Sequence, residues 1–325
     1  MGAKIVGTGS YLPRTVLSNE DLARTVDTSD EWIVERTGIR TRHLLAEGEE
    51  PSSMAVEAAK AALARATVQA KKVDLLVVAD NFPDMVCPGT SPFVAAGLGL
   101  AQVPFFDLHA GCTGFLYALV VADALVSSEA YREVLVVGSE ALSRVADWSD
   151  RSTCVLFGDG AGAVLLEPGG AEEGVLASAL HADPTKALLL RITAGGTRTP
   201  ATRETVERGE HYLRMEGQGV FRSAVGMMER STREALEKAG MELSDVDWVI
   251  PHQANLRIID SLLRRLDVPR ERVLINVDRV ANTSTASIPI ALDEGLREGK
   301  IEPGHVVVLT AFGAGATYGA VVLRI

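Results

Sequence analysis

Long apolar runs are missing from this sequence, as are cysteine pairs and any excess of positive charge. No run approaches the roughly 18 to 20 apolar residues that a membrane-crossing helix needs. The first 13 residues lack a basic stretch followed by an apolar one, and Val6 breaks the pattern that would mark Gly2 for acylation. A soluble, cytoplasmic protein without membrane contact is expected. Cys87, Cys112 and Cys154 are too few and too scattered for a disulfide framework. No Cys-x-x-Cys pair suggests a metal, which leaves room for a free reactive thiol. The formal net charge of -11 argues against nonspecific nucleic-acid binding, because polyanions are held by clustered cations.

What is present is a chain of 325 residues, 47% hydrophobic, long enough to bury a large core as one big domain or two related ones. Short apolar runs at 75–79, 133–137, 246–250 and 305–310 alternate with helix-length stretches at 53–66 and 226–239. That alternation predicts an α/β fold, and the unbroken apolar runs suit strands covered on both faces by helices. A weak internal repeat relates Phe157-Gly158-Asp159-Gly160-Ala161-Gly162 and the apolar run after it to Phe312-Gly313-Ala314-Gly315 and the run at 318–323. Each reads as a glycine-rich turn feeding a strand. The chain therefore divides into two copies of one unit, 1–170 and 171–325. A polar stretch at 193–212 is a solvated loop or an excursion lining a substrate path.

Three segments carry chemistry. In Phe105-Phe106-Asp107-Leu108-His109-Ala110-Gly111-Cys112-Thr113-Gly114 a thiol sits where a strand turns into a helix. Free N–H groups and the helix dipole there are expected to lower the pKa of Cys112 and activate it. Alone, a cysteine beside glycines is more often an inert small hydrophobe. Cys154, in an apolar run, and Cys87, in a proline-rich turn, keep that inert character. In Trp248-Val249-Ile250-Pro251-His252-Gln253-Ala254-Asn255 a strand ends at a proline and a helix begins with Asn255 as its cap. His252 is thereby a candidate acid, base or donor at a strand end, where open α/β sheets place ligands. His43, His181, His211 and His305 lie in polar, turn-like settings and read as solvated, while His109 could support Cys112. In Ala281-Asn282-Thr283-Ser284 the amide of Asn282 could cap a turn or donate to an oxyanion without titrating.

Together, Gly111-Cys112-Thr113-Gly114, Pro251-His252-Gln253-Ala254-Asn255 and Ala281-Asn282-Thr283-Ser284 resemble the catalytic motifs of the 3-oxoacyl-[acyl-carrier-protein] synthase III family, in the thiolase superfamily. The resemblance extends through 30–40, 158–163 and the glycine-rich end. It implies two pseudo-symmetric βαβαβαββ halves in α-β-α-β-α layers, and a homodimer. It implies that an acyl group passes from acyl-CoA to Cys112 and then condenses, with loss of carbon dioxide, onto malonyl acyl carrier protein, with His252 and Asn282 as donors. No cofactor is implied, since the CoA thioester is a substrate. The N–H groups of Cys112 and Ala314 would form the oxyanion hole. Thr28, Trp32, Arg36 and Arg151 would hold CoA, Cys87 and Phe312 would border the acyl pocket, and Arg222, Gln253, Arg257, Arg264 and Arg265 would receive the acidic carrier protein. Two departures stand out: alanine at 314, where relatives have glycine, tolerable unless φ is positive there, and Cys87, smaller than an aromatic found in some relatives. Alternatives are an acyl-CoA-primed acyltransferase of secondary metabolism and a thioester hydrolase.

Overall fold

The computed structural model describes residues 2–170 and 172–325; Met1, and Ala171 in the expected boundary, lie outside the described residues. The first sheet contains β1 (Ala3–Tyr11), β2 (Leu75–Ala79), β3 (Phe105–Leu108), β4 (Val134–Ala141) and β5 (Asp159–Pro168), in the order β1-β5-β4-β2-β3. β2 is parallel to both its neighbours and β5 antiparallel to both of its own. The second sheet contains β6 (Gly174–Ala182), β7 (Trp248–Pro251), β8 (Val306–Gly313) and β9 (Thr317–Arg324), in the order β7-β8-β9-β6. Here β7 and β8 are parallel and the other pairs antiparallel. The sheets repeat one plan, with β6, β9, β8 and β7 standing where β1, β5, β4 and β2 stand. A parallel bridge between Val249 and Val273 marks the place of β3.

The helices that matter for the site are α1 (Asp30–Thr37), α2 (Pro51–Ala66), α3 (Gly114–Ser127), α4 (Gly217–Ala239), α5 (Leu256–Leu266) and α6 (Ser287–Arg297). Strand alternation sorts the core into three slabs. Leu75, Val77 and Ala79 of β2, with Val307, Leu309 and Ala311 of β8, face a middle slab built on α3 and α6. Leu76 and Val78 turn outward onto the alanine-rich face of α2. Val306, Val308 and Phe312 turn outward onto α4 and α5. The layers run helix, sheet, helix, sheet, helix, as the resemblance implied. The outer helix α2 lies so near β1 that a Cβ on Gly9 would come 2.2 Å from the carbonyl oxygen of Ala58. Among the described residues, no helix is long and apolar enough to cross a membrane.

Two local expectations need correction. The segment 158–162 is not a turn: from Asp159 onward it is the start of β5, paired on both sides to β1 and β4. Small residues there let α6 approach, since a Cβ on Gly162 would meet the backbone of Ile290 at 2.8 Å. Helix α4 starts at Gly217, nine residues before the expected 226, its opening turns disguised by glycines that weaken intrinsic helix preference. Helix α6 starts at Ser287 because Pro289 falls in its first turn, where a missing N–H costs nothing.

Candidate active site

Cys112 stands between β3 and α3, on a turn whose φ at Gly111 is +59°. This turn packs against the loop after β8: a Cβ on Gly313 would lie 2.4 Å from the nitrogen of Cys112. Thr113 Oγ1 lies 2.6 Å from the carbonyl oxygen of Ala110 and 2.8 Å from Thr317 Oγ1, and Thr317 Oγ1 lies 2.9 Å and 3.1 Å from the carbonyl oxygens of Ala110 and Ala314, so that the two hydroxyl protons are shared among these acceptors. Locked this way, the loops turn the backbone N–H groups of Cys112 and Ala314 toward Sγ. Ala314 itself keeps a negative φ, so its Cβ is carried without strain. Ser284 Oγ donates to Sγ at 3.4 Å.

The sequence expectation of a low thiol pKa does not hold. Burial pushes the Cys112 thiol up to about 11, and the nearby Glu140 adds to the rise. The hydrogen bonds from Ser284 and the two backbone N–H groups pull the other way and are outweighed.

His252 follows β7 and is 3% exposed. Its Nδ1 lies 2.6 Å from Ser287 Oγ, at the start of α6, and its backbone N–H donates to Thr310. Burial drives the imidazole down to about 3, so it is neutral at ordinary pH. Asn282 is held by backbone bonds to Leu156 and Gly158, and its Oδ1 accepts from the N–H of Ser284 at 2.8 Å. With Oδ1 engaged, its amide NH₂ remains as donor.

Cys112, His252, Asn282 and Phe312 line one cavity of about 580 Å³. Its apolar wall includes Val155, Leu156, Met215 and Phe221, and its surface end carries Trp32, Arg36, Arg222 and Arg257. The Arg36 and Arg151 guanidinium carbons lie 4.5 and 5.3 Å from the Trp32 ring centroid. Arg151 is also held by Asp27, through its carbonyl at 2.8 Å. Thr28 is half-buried just before α1 and does not line the cavity.

Gln253 does not face the carrier-protein side. It is 0% exposed, donating to Pro251 (2.7 Å) and Leu274 (3.1 Å) and accepting from the N–H groups of Asn276 (3.1 Å) and Val277 (3.3 Å). It ties the end of β7 to the turn before Asn282. Arg257, Arg264 and Arg265 lie exposed on α5, with Arg265 paired to Glu229, and Arg222 is exposed on α4. Cys87 is exposed, beside Met85 and Val86, and does not line this chain's cavity. His109 is exposed and lies outside the cavity too. His181 is not simply solvated, since its Nε2 meets Glu234 at 2.6 Å, and His43 Nδ1 meets the Pro13 carbonyl at 2.6 Å. No residue of 193–212 lines the cavity, which fits the solvated-loop alternative.

Sequence reasoning missed Ser284, Ser287, Asn81 and Glu140. The two serines lie within five residues of Asn282, and their hydroxyls were the available signal. Asn81 and Glu140 come from strand ends far away in the chain, and no spacing could join them.

Residues 106–184 match the family described as 3-oxoacyl-[acyl-carrier-protein (ACP)] synthase III, and 236–325 match its C-terminal part. A beta-ketoacyl-[acyl-carrier-protein] synthase III of Rhizorhabdus wittichii is 50% identical over 324 residues, 99% of each chain. The crystal structure of 3-oxoacyl-[acyl-carrier-protein] synthase III from Aquifex aeolicus superposes with a TM-score of 0.92 at 45% identity, covering 100% of both chains. The priming beta-ketosynthase of the R1128 polyketide pathway reaches 0.91 at 37%, covering 99% of this chain and 96% of that one.

Proposed function

The chain belongs to the 3-oxoacyl-[acyl-carrier-protein] synthase III family, the transferases that start fatty acid synthesis by condensation, and we infer that Cys112, His252 and Asn282 divide that reaction among them. In the first half, Cys112 attacks the carbonyl carbon of an acyl-CoA thioester, CoA leaves as the thiol, and the acyl group stays on Sγ. The oxyanion formed on the way is met by the N–H groups of Cys112 and Ala314. Donors of this kind lower the barrier by about 3 kcal/mol each.

In the second half, malonyl acyl carrier protein loses carbon dioxide and its thioester oxygen takes the charge as an enolate. Asn282 Nδ2 and His252 Nε2 donate to that oxygen. What supports the histidine's role is Ser287: its Oγ accepts from the N–H of Gln253 at 3.4 Å, so its own proton is free to point at His252 Nδ1, leaving the ring proton on Nε2. The carbanion then attacks the acyl carbonyl, the thiolate of Cys112 is expelled, and a 3-oxoacyl thioester forms. The thioester is the activated group, and no step calls on a metal or cofactor.

CoA would lie along Trp32, Arg36 and Arg151, and the carrier protein on Arg222, Arg257, Arg264 and Arg265. The exposed Met85, Val86, Phe93, Phe105 and Phe106 support a homodimer, in which Cys87 would border the partner's acyl pocket. A cytoplasmic location fits these substrates. The likeness to a polyketide priming synthase favours one second reading, the same chemistry delivered to a carrier of secondary metabolism.

The observation that carries the proposal is the convergence of a thiol and two oriented donors on one cavity. Intact-mass analysis after incubation with acetyl-CoA and longer acyl-CoAs is expected to show an adduct, absent from Cys112→Ala and discharged by malonyl carrier protein. Absence of any adduct overturns it.

A further inference from the structure

We propose that Ser284 is a catalytic residue of the acyl-transfer step, its hydroxyl the side-chain donor that stabilises the Cys112 sulfur as an anion, and that the buried pair Asn81 and Glu140 aims it. The proposal rests on Cys112 being the acyl acceptor. Ser284 Oγ lies 3.4 Å from Sγ, ordinary for a hydroxyl donating to sulfur. Asn81 Nδ2 donates to Ser284 Oγ at 3.3 Å, taking one acceptor site of the hydroxyl, whose single proton has the Cys112 sulfur and the neighbouring Glu140 carboxyl as acceptors.

The backbone points the same way. Ser284 has φ of +49°, a left-handed conformation that disfavours a side-chain-bearing residue and survives only where surroundings impose it. The imposing bond is next door: the N–H of Ser284 is the donor that fixes Asn282. One strained residue thus orients the amide of Asn282 through its main chain and the thiol through its side chain.

The support comes from the other half of the molecule. Asn81 follows the end of β2, Glu140 lies near the end of the neighbouring β4, and Asn81 Nδ2 also donates to Glu140 Oε1. Thr285 Oγ1 donates to the same oxygen at 3.3 Å. Glu140 is 0% exposed and forms no ion pair among the described residues. Below about pH 8, where burial keeps the carboxyl protonated, Glu140 holds Asn81 without placing a negative charge beside the nascent thiolate; above it, the carboxylate opposes the thiolate. The titratable groups around the cluster are Glu140, Asp80, His252 across the cavity, and Asp84 and Asp107 behind Asp80.

The test is the pH dependence of Cys112 alkylation by iodoacetamide, read on the Cys112 peptide by mass spectrometry, beside acyl transfer from acetyl-CoA. Ser284→Gly is the central variant, because glycine accepts the left-handed backbone and removes only the hydroxymethyl group; Ser284→Ala and Asn81→Ala accompany it. The expected result is an alkylation curve displaced to higher pH, with roughly tenfold slower reaction at pH 7, where Glu140 is protonated, for a one-unit displacement. Acyl transfer falls in kcat with little change in the KM for acetyl-CoA. Asn81→Ala shows a smaller displacement of the same sign. A Ser284→Gly protein that melts normally, alkylates within twofold of the parent and keeps its pH curve overturns the proposal. If the parent takes no acyl group, the functional reading fails instead, while the alkylation curve still decides whether Ser284 serves the sulfur.

Discussion

Gly111 and Ala314 meet main chain to main chain: a Cβ placed on Gly111 would lie 2.4 Å from the nitrogen of Ala314 and 2.6 Å from its carbonyl oxygen. No side chain at either end can relieve that contact, because the obstructing atoms belong to the backbone. Two N–H groups from opposite halves of the chain reach one sulfur only because this gap stays closed.

Gly111→Ala is therefore expected to remove primer uptake while leaving the fold largely in place. Acyl transfer to Cys112 should drop by about 10² or more, the loss produced by displacing one oxyanion donor. Acylation near the parent rate in a stopped-flow release-of-CoA assay would show that the two loops can separate without penalty.

His252 offers a cleaner separation of the two half-reactions. His252→Ala is expected to accumulate acyl-Cys112 while 3-oxoacyl product forms about 10² to 10³ times more slowly. Because burial holds the parent imidazole near 3, no histidine inflection should appear in the condensation step between pH 5 and 8. An inflection near 6.5 that vanishes in the variant would contradict a neutral donor.

Glu140 gives a stability signature. An unfolded glutamate titrates at about 4.3, whereas burial, and after it the charge of Asp80, raises the folded carboxyl to about 8. Between those values the folded chain holds a proton that the unfolded chain has released. The stability from Glu140 is thus whole below about pH 4 and lost progressively as the pH climbs to about 8. Glu140→Gln cannot titrate, so its stability relative to the parent should improve from pH 5 to 8.5, by up to a few kcal/mol in urea melts. A difference that ignores pH would mean the carboxyl is already charged.

Gln253 and Arg257, four residues apart, should behave in opposite ways. Gln253→Leu abandons four buried backbone partners at about 1 to 3 kcal/mol each and is expected to lower the melting temperature sharply. Arg257→Glu should leave melting unchanged and raise the KM for malonyl carrier protein more than that for acyl-CoA. Equal melting temperatures for the two variants would refute the buried bracing role of Gln253.

Much of this architecture was legible in the chain. The continuous apolar run at 75–79 became β2 to the residue, and Asn255 does cap α5, accepting from the N–H of Arg257 at 2.8 Å. Cys112, His252 and Asn282 could be picked out as candidates because each sits at a strand end or turn beside small residues, and the family resemblance joined them. What stayed hidden depends on solvent exclusion and on partners distant in sequence. The environment of Cys112 is one case: dipole and glycines were visible, but the burial that outweighs them arises only when β8 and its following loop close over the turn. Gln253 is another, since an amide beside a histidine carries no mark of which backbone groups will claim it.

The two reactive turns are also the starting points of α3 and α6, the helices sealed between both sheets. Amides in such a slab exchange with solvent only when the whole molecule opens, so the chemical machinery belongs to the last part of the protein to come apart. The cavity's outer end is built differently: Trp32 on α1 and Gln218 and Arg222 in the first turns of α4 stand there, outside that slab.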